Sequence, residues 1–356
     1  MFFRGIRRDR DIPGDPNDRV WGRWETHREL VPWPVPFSHR FSLFLQEPIF
    51  GKDYLPMRLS LRTMVGLLGF VALAGSVNGA EEIGKSGFVD SAGVKIHYVT
   101  KGEGPLLVLL HGFPDFHYTW RDQIPELSKQ FQVVAPDLRG YNKSDKPEGV
   151  DNYKMEKLLG DVSAIMDHFK QKKMVLVGHD WGGIIAWNFA MGHPDKVERL
   201  IILNLPHPSG LARELANNPE QQKNSAYARS FQKPEAASLI KPEMLAGWVK
   251  EPEARKLYQE ALKASSMEGM LNYYKANFPR PPYVEGPKLP PVKCPVLVLH
   301  GLDDKALLAG ALNDTWKWVE KELTIVTIPG AGHFVHRDKP ELVTRKMQSW
   351  LTETRR

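Results

Sequence analysis

The 356-residue chain has one cysteine, Cys294, which excludes an intramolecular disulfide. Cys294 precedes the apolar stretch 295–299, so the expected reading is a core thiol. Histidines, carboxylates and the cysteine do not cluster at ligand spacing, so the sequence offers neither a metal site nor a cofactor site. Basic residues are scattered, the net charge is a mild +6, and no basic stripe alternates with aromatics. Nucleic acid is therefore excluded as the expected partner. Internal repeats are absent, and the longest apolar run, 64–77, is too short for a comfortable membrane span. What is present is 42% apolar and 25% charged residues, the balance of a globular protein with a sizeable core.

Residues 1–56 hold many arginines, the run Val31-Pro-Trp-Pro-Val-Pro36 and no sustained periodicity, so they are expected to form an irregular N-terminal extension. From Met57 a charged stretch, the apolar run and small residues ending at Ala80 follow one another. That is the order of parts in a secretory signal peptide. Such a signal belongs at a chain start. The expectation is that translation begins at Met57, that residues 57–80 are the signal, and that the mature chain starts between Ser76 and Glu81. The protein would then be secreted or periplasmic.

From residue 86 the pattern becomes regular. Residues 94–100 alternate like a half-buried strand. Stretches 105–110, 132–136, 173–178, 200–203, 295–300 and 324–328 are continuous apolar runs, as strands covered on both faces require. Helical spacing is expected over 120–130, 153–171, 181–193 and 340–354. Strand and helix in alternation give an α/β protein with a mostly parallel sheet and helices on both faces. Residues 205–292 interrupt the alternation with helical pieces such as 251–265 and 267–276, bounded by prolines. The expected organisation is a core of 86–204 and 293–356 with a helical cap, 205–292, over the strand ends where ligands bind in such sheets.

The sharpest chemical signal is Val175-Leu-Val-Gly178-His179-Asp180-Trp181-Gly182-Gly183, read as strand, tight turn and helix. Small residues stand two before and two after Asp180, as in a nucleophile elbow with aspartate in place of serine. Taken alone, Asp180 could be an N-cap before a glycine-rich helix start. The residue type selects the chemistry. A serine attacking saturated carbon would form an ether that water does not readily cleave, whereas a carboxylate forms an ester that water hydrolyses. An epoxide or alkyl halide is thus the expected substrate class.

Ester hydrolysis needs a base. His333 in Pro329-Gly-Ala-Gly-His333-Phe follows a strand, precedes the last helix and comes last in chain order; His336 is a nearby rival without the preceding Gly-Ala-Gly. Asp303 or Asp304, ending the strand at 295–300, would orient the imidazole. His111-Gly-Phe-Pro114 could aim the Phe113 backbone N–H at the reacting centre, with the Trp181 N–H as second oxyanion donor. On its own that motif would be an ordinary turn.

Together the motifs His111-Gly-Phe-Pro-Asp-Phe116, Pro136-Asp-Leu-Arg-Gly-Tyr-Asn-Lys-Ser-Asp-Lys-Pro147, Gly178-His-Asp-Trp-Gly-Gly183, Gly301-Leu-Asp-Asp304 and Gly330-Ala-Gly-His333 resemble those of epoxide hydrolases of the α/β-hydrolase fold, from residue 86 to the C-terminus. The resemblance implies that fold, with a cap inserted between strands, no cofactor, a small-molecule epoxide as partner and a diol as product. It implies Asp304 rather than Asp303 as the acid. It also implies two cap tyrosines that protonate the epoxide oxygen. Leu271-Asn-Tyr-Tyr274-Lys points to Tyr274 and Ala226-Tyr227-Ala-Arg-Ser-Phe-Gln232 to Tyr227, with Tyr273 and Tyr258 as possible substitutes. Chemically, a phenol with pKa of about 10 can hold and protonate a developing alkoxide.

Three other readings compete. A haloalkane dehalogenase would share Asp180 but needs N–H donors for the halide: Trp181 and a second donor such as Trp248, since Phe113 has none in its side chain. A haloacid dehalogenase needs arginines near the elbow, where Trp181 and Ile184 stand instead. A non-catalytic binder on the same fold would leave this residue set unused. Diol release, halide release and saturable binding without turnover separate the readings.

Overall fold

The computed structural model describes residues 83–354. The proposed extension 1–56 and signal segment 57–80 lie outside the described residues. Among the described residues no helix is long and apolar enough to cross a membrane.

Eight strands form one sheet: β1 (Lys85–Ser91), β2 (Val94–Lys101), β3 (Leu106–Leu110), β4 (Gln132–Pro136), β5 (Met174–His179), β6 (Val197–Leu203), β7 (Val296–Gly301) and β8 (Leu323–Ile328). Their spatial order is β1-β2-β4-β3-β5-β6-β7-β8. β1 and β2 pair antiparallel, as do β2 and β4; every other pairing is parallel. β1 was not among the expected strands. It is an edge strand with much of its length exposed, so its side chains carry little apolar signal.

The apolar runs are strands, and all but β8 have both faces covered; β8 closes the sheet as an edge strand and is mostly half-buried, contrary to the expectation for 324–328. Leu106, Val108 and Leu110 of β3 pack into one core and Leu107 and Leu109 into another. β6 and β7 divide the same way: Leu200, Ile202, Val296 and Val298 on one face, Ile201, Leu203, Leu297 and Leu299 on the other. Full burial of each such side chain contributes about 1.5–3 kcal/mol. The first face is covered by α1 (Met155–His168) and α2 (Trp181–Gly192). The second lies against the short helix Gln123–Leu127 and the last helix, Pro340–Glu353. The helix expected over 120–130 is instead a 3-10 turn at His117–Trp120 followed by Gln123–Leu127. Pro125 has no N–H to donate and fits only a first helical turn, which keeps the helix short.

Between β6 and β7 run α3 (Pro208–Asn217), α4 (Pro219–Asn224), α5 (Ala226–Phe231), two single-turn helices, α6 (Pro252–Ala264) and α7 (Met267–Asn277). Proline opens α3, α4 and α6, where its missing N–H is one of the donors a helix start leaves free. The parallel strands β3, β5, β6, β7 and β8 end on one edge of the sheet. The segments that follow carry Phe113, Asp180, Asn204, Asp304 and His333 in turn.

Candidate active site

The turn at Asp180 is built by glycines. A Cβ on Gly178 would stand 2.2 Å from the Gly182 carbonyl, and one on Gly182 would stand 2.2 Å from the Leu110 carbonyl. Only hydrogen fits between β5, α2 and β3. Asp180 itself adopts φ 52° and ψ −120°. A non-glycine residue in such a conformation stores about 1–3 kcal/mol of strain, which the packed strand and helix must hold. α2 then begins directly, with Ile184 N donating to the Asp180 carbonyl at 3.0 Å. Gly112 lies opposite; a Cβ there would stand 2.4 Å from the Asp180 carboxylate.

The two oxygens of Asp180 have different surroundings. Oδ1 accepts from Phe113 N at 2.7 Å. Oδ2 faces His333 Nε2 at 3.5 Å. Burial favours the neutral acid, but His333 and the Phe113 N–H outweigh it, so the Asp180 pKa falls below the usual carboxylate value. The Trp181 N–H, the other expected oxyanion donor, lies at the first turn of α2, with no hydrogen bond to Asp180.

Behind His333 sits Asp304, whose Oδ2 is 2.9 Å from Nδ1. Asp304 is 3% exposed and Asp303 is exposed, so the buried member of the pair orients the ring. Asp304 Oδ1 accepts from Ala306 N at 2.8 Å and Leu307 N at 3.0 Å, and Oδ2 also accepts from Asn204 Nδ2 at 2.9 Å. Burial works against its charge, yet His333 and these donors hold its pKa down to about 2. Burial likewise opposes a charged His333, but Asp304 and Asp180 on either side raise its pKa to about 10. The unliganded site thus holds one imidazolium between two carboxylates at neutral pH.

Asn204 was not anticipated from sequence. It directly follows β6 at φ 46°, and its Oδ1 accepts from Val335 N at 3.3 Å, tying Asp304 to the segment after His333. The available signal was an asparagine closing a buried strand at the functional edge of the sheet. The rival His336 points elsewhere: its Nε2 pairs with Thr119 Oγ1 at 2.6 Å.

Tyr274 on α7 packs edge-on to Trp181, with ring centroids 4.9 Å apart, and edge-on to Phe113 at 5.6 Å. Tyr227 on α5 lies 6.1 Å from the Tyr274 ring. Burial, Tyr227 and Asp180 raise the Tyr274 pKa well above 10, partly offset by the Trp181 side chain. Burial, Asp180 and Asp304 raise that of Tyr227. Both phenols therefore keep their protons. The possible substitutes are engaged elsewhere: Tyr273 donates to the Arg139 carbonyl at 2.9 Å and Tyr258 to Asp115 Oδ1 at 2.7 Å. Trp248 lies flat on Phe334, centroids 3.8 Å apart, rather than against Trp181. An apolar cavity of about 330 Å³, lined by Ile184, Leu205, Leu211, Leu215 and Phe278 among others, adjoins this region, but Asp180 is not in its wall.

Two buried clusters escaped the sequence reading because their members come from distant segments: His97, His117 and Asp137, and Asp115, His179 and His336. In the first, Asp137 accepts from His97 Nδ1 and His117 Nδ1, each at 2.7 Å, and from Asn142 Nδ2 at 2.9 Å. Its oxygens thus serve hydrogen bonds rather than a cation.

Comparison with known proteins agrees with this geometry. Residues 105–340 match the α/β-hydrolase fold family. Epoxide hydrolase 3 of Xenopus tropicalis is 34% identical over 292 residues, covering 76% of this chain and 78% of that protein. The chain belongs to the epoxide hydrolases of the α/β-hydrolase family. An α/β-hydrolase superfamily protein of Bacillus subtilis is 34% identical over 285 residues, 75% of this chain and 98% of that one. The crystal structure of Bacillus megaterium epoxide hydrolase with an inhibitor superposes with a TM-score of 0.68 at 32% identity, covering 75% of this chain and all (100%) of that one. The fold expected from the strand pattern is thus the fold of this family.

Proposed function

We propose that this epoxide hydrolase opens epoxides to vicinal diols through a covalent ester on Asp180, with the helices between β6 and β7 acting as a cap over the site. The carrying observation is the asymmetry of the Asp180 carboxylate: Oδ1 is held by the Phe113 N–H, while Oδ2 faces the His333–Asp304 pair. Oδ2 attacks an epoxide carbon, the ring C–O bond breaks, and the oxygen takes a proton from Tyr274 or Tyr227. A phenol is intrinsically a stronger acid than an aliphatic alcohol, and the burial that raises both phenols acts equally on the alkoxide formed beside them. The tyrosinate is reprotonated at the expense of the His333 imidazolium. Esterification also removes the charge of Asp180, one of the two that hold the His333 proton.

Neutral His333 is then a base. It takes a proton from water, and the hydroxide adds to Cγ of Asp180. Negative charge gathers on Oδ1, where the Phe113 and Trp181 N–H groups stabilise it. Collapse breaks the bond between Cγ and the ester oxygen, which leaves with the diol and takes the proton of the hydroxyl added at Cγ. Asp180 is again a carboxylate and His333 again an imidazolium, so atoms and protons balance over the cycle.

Product analysis on a panel of epoxides and haloalkanes tests the reaction class: diol without halide is expected, and halide release without diol refutes it. Tyr274→Phe is expected to slow ester formation about 100-fold in a single turnover while leaving ester decay near its original rate. Rapid-quench mass spectrometry follows both steps. An unchanged formation rate removes Tyr274 from the chemistry.

A further inference from the structure

Beneath the catalytic base, three buried side chains each have a polar atom with no hydrogen-bond partner: Asp115 Oδ2, His179 Nδ1 and His336 Nδ1. These residues are 1%, 0% and 0% exposed, and one ligating atom of each lies within 4.8 Å of the other two. Their remaining polar atoms are engaged. His179 Nε2 meets the His333 carbonyl at 2.8 Å and must donate to it, which leaves Nδ1 a bare acceptor. Asp115 Oδ1 accepts from Phe116 N at 2.9 Å and from Tyr258 Oη at 2.7 Å. Burial keeps both imidazoles neutral, lowering His179 to about 4 and holding His336 well below its usual value. Burial also raises Asp115 to about 6, so it is ionised at neutral pH.

Asp115 Oδ2 and His179 Nδ1 are therefore two buried acceptors without a donor, which is costly for each. A group that donates twice resolves this. One ligating atom from each residue, all three within 4.8 Å of one another, leaves a centre about 2.8 Å or less from those atoms, the length of a hydrogen bond. We propose that Asp115, His179 and His336 bind one internal water molecule, which through His179 holds the His333 backbone where the imidazole must stand for ester hydrolysis. The water donates to Asp115 Oδ2 and His179 Nδ1 and accepts from His336 Nδ1–H. With Nδ1 protonated, His336 Nε2 is the acceptor in its 2.6 Å contact with Thr119 Oγ1. Every donor then has an acceptor, and a chain of hydrogen bonds runs from Tyr258 on α6 through Asp115, the water and His179 to the main chain of the base. A divalent cation with the same three ligands is the competing occupant. The hydrogen-bond count favours water, because it uses each proton once and places no added charge beside the His333 imidazolium.

Asp115, His179 and His336 are thus positioning residues. The kinetic part of the proposal rests on the Asp180 ester reading; the binding part does not. A high-resolution crystal structure of the unliganded protein, with data collected above the zinc edge, tests binding. One non-anomalous peak within hydrogen-bond distance of all three atoms is expected in the wild type, and its loss in His336→Leu. Absence of the peak, or an anomalous one, overturns the proposal whatever the enzyme does to epoxides. In single turnovers His336→Leu should slow ester decay about tenfold while ester formation changes less than about twofold. His336→Asn, whose amide N–H replaces the ring Nδ1–H, should recover most of the rate and serves as the test variant if the leucine protein does not fold. Equal loss in both steps, or no recovery with asparagine, refutes the positioning role.

Discussion

His333→Gln is expected to convert the enzyme into a stable covalent adduct. Ester formation needs the Asp180 carboxylate and the tyrosine hydroxyls, all retained; ester hydrolysis needs a base, which glutamine is not. Multiple turnover should fall about 10³–10⁴-fold, and intact mass after incubation with an epoxide should rise by the mass of one substrate. Peptide mapping should place that mass on Asp180. A label on any other residue removes Asp180 from its role, and turnover near the wild-type rate removes His333. The same variant reports on the resting charge state. The folded-state pKa of His333 is raised to about 10. Its stabilising contribution is present in full below the unfolded value of about 6.5 and is lost as pH rises through the folded one. The gap in thermal midpoint between wild type and His333→Gln should therefore narrow between those two limits. A gap unchanged across that range contradicts a protonated His333.

Asp180→Ala has the largest expected effect. No neighbouring group can replace a nucleophile held at the tip of β5, so turnover should fall by at least about 10⁴-fold, with no adduct at any time. The variant also removes one of the two carboxylates flanking His333. The imidazole pKa should fall, visible as an earlier titration of its ring resonances by NMR. Residual diol formation above that level, or an adduct on the variant, would place the nucleophile elsewhere. An unchanged His333 titration would show that Asp180 does not set its charge.

The parts of the fold read most directly from sequence are those whose physics is local. β3, β5, β6 and β7 are covered on both faces, so burial forces continuous apolar runs on them. The elbow was legible because backbone crowding allows nothing larger than glycine at positions 178 and 182. Long amphipathic helices such as α1 and α6 carry enough turns to show a period, whereas exposed β1 and the proline-shortened Gln123–Leu127 do not. What escaped were contacts between distant segments. Nothing local shows that Asn204 meets Asp304, that Tyr258 serves Asp115 while Tyr274 faces Trp181, or that His336 gathers with His179 and Asp115. Choosing Asp304 over Asp303, or Tyr274 over Tyr273, needed a family resemblance at the sequence level; in the structure burial and hydrogen bonding distinguish them. The N-terminal readings, with localisation, lie outside the described residues.

In the proposed cycle water cleaves an ester at Cγ of Asp180 rather than attacking the epoxide directly. Multiple turnovers in ¹⁸O-labelled water, followed by mass analysis of the peptide carrying Asp180, test it most directly. The account predicts that label enters the Asp180 carboxylate, and that in a first single turnover the diol carries unlabelled oxygen from the enzyme. A carboxylate that stays unlabelled while labelled diol accumulates from the first turnover would contradict it.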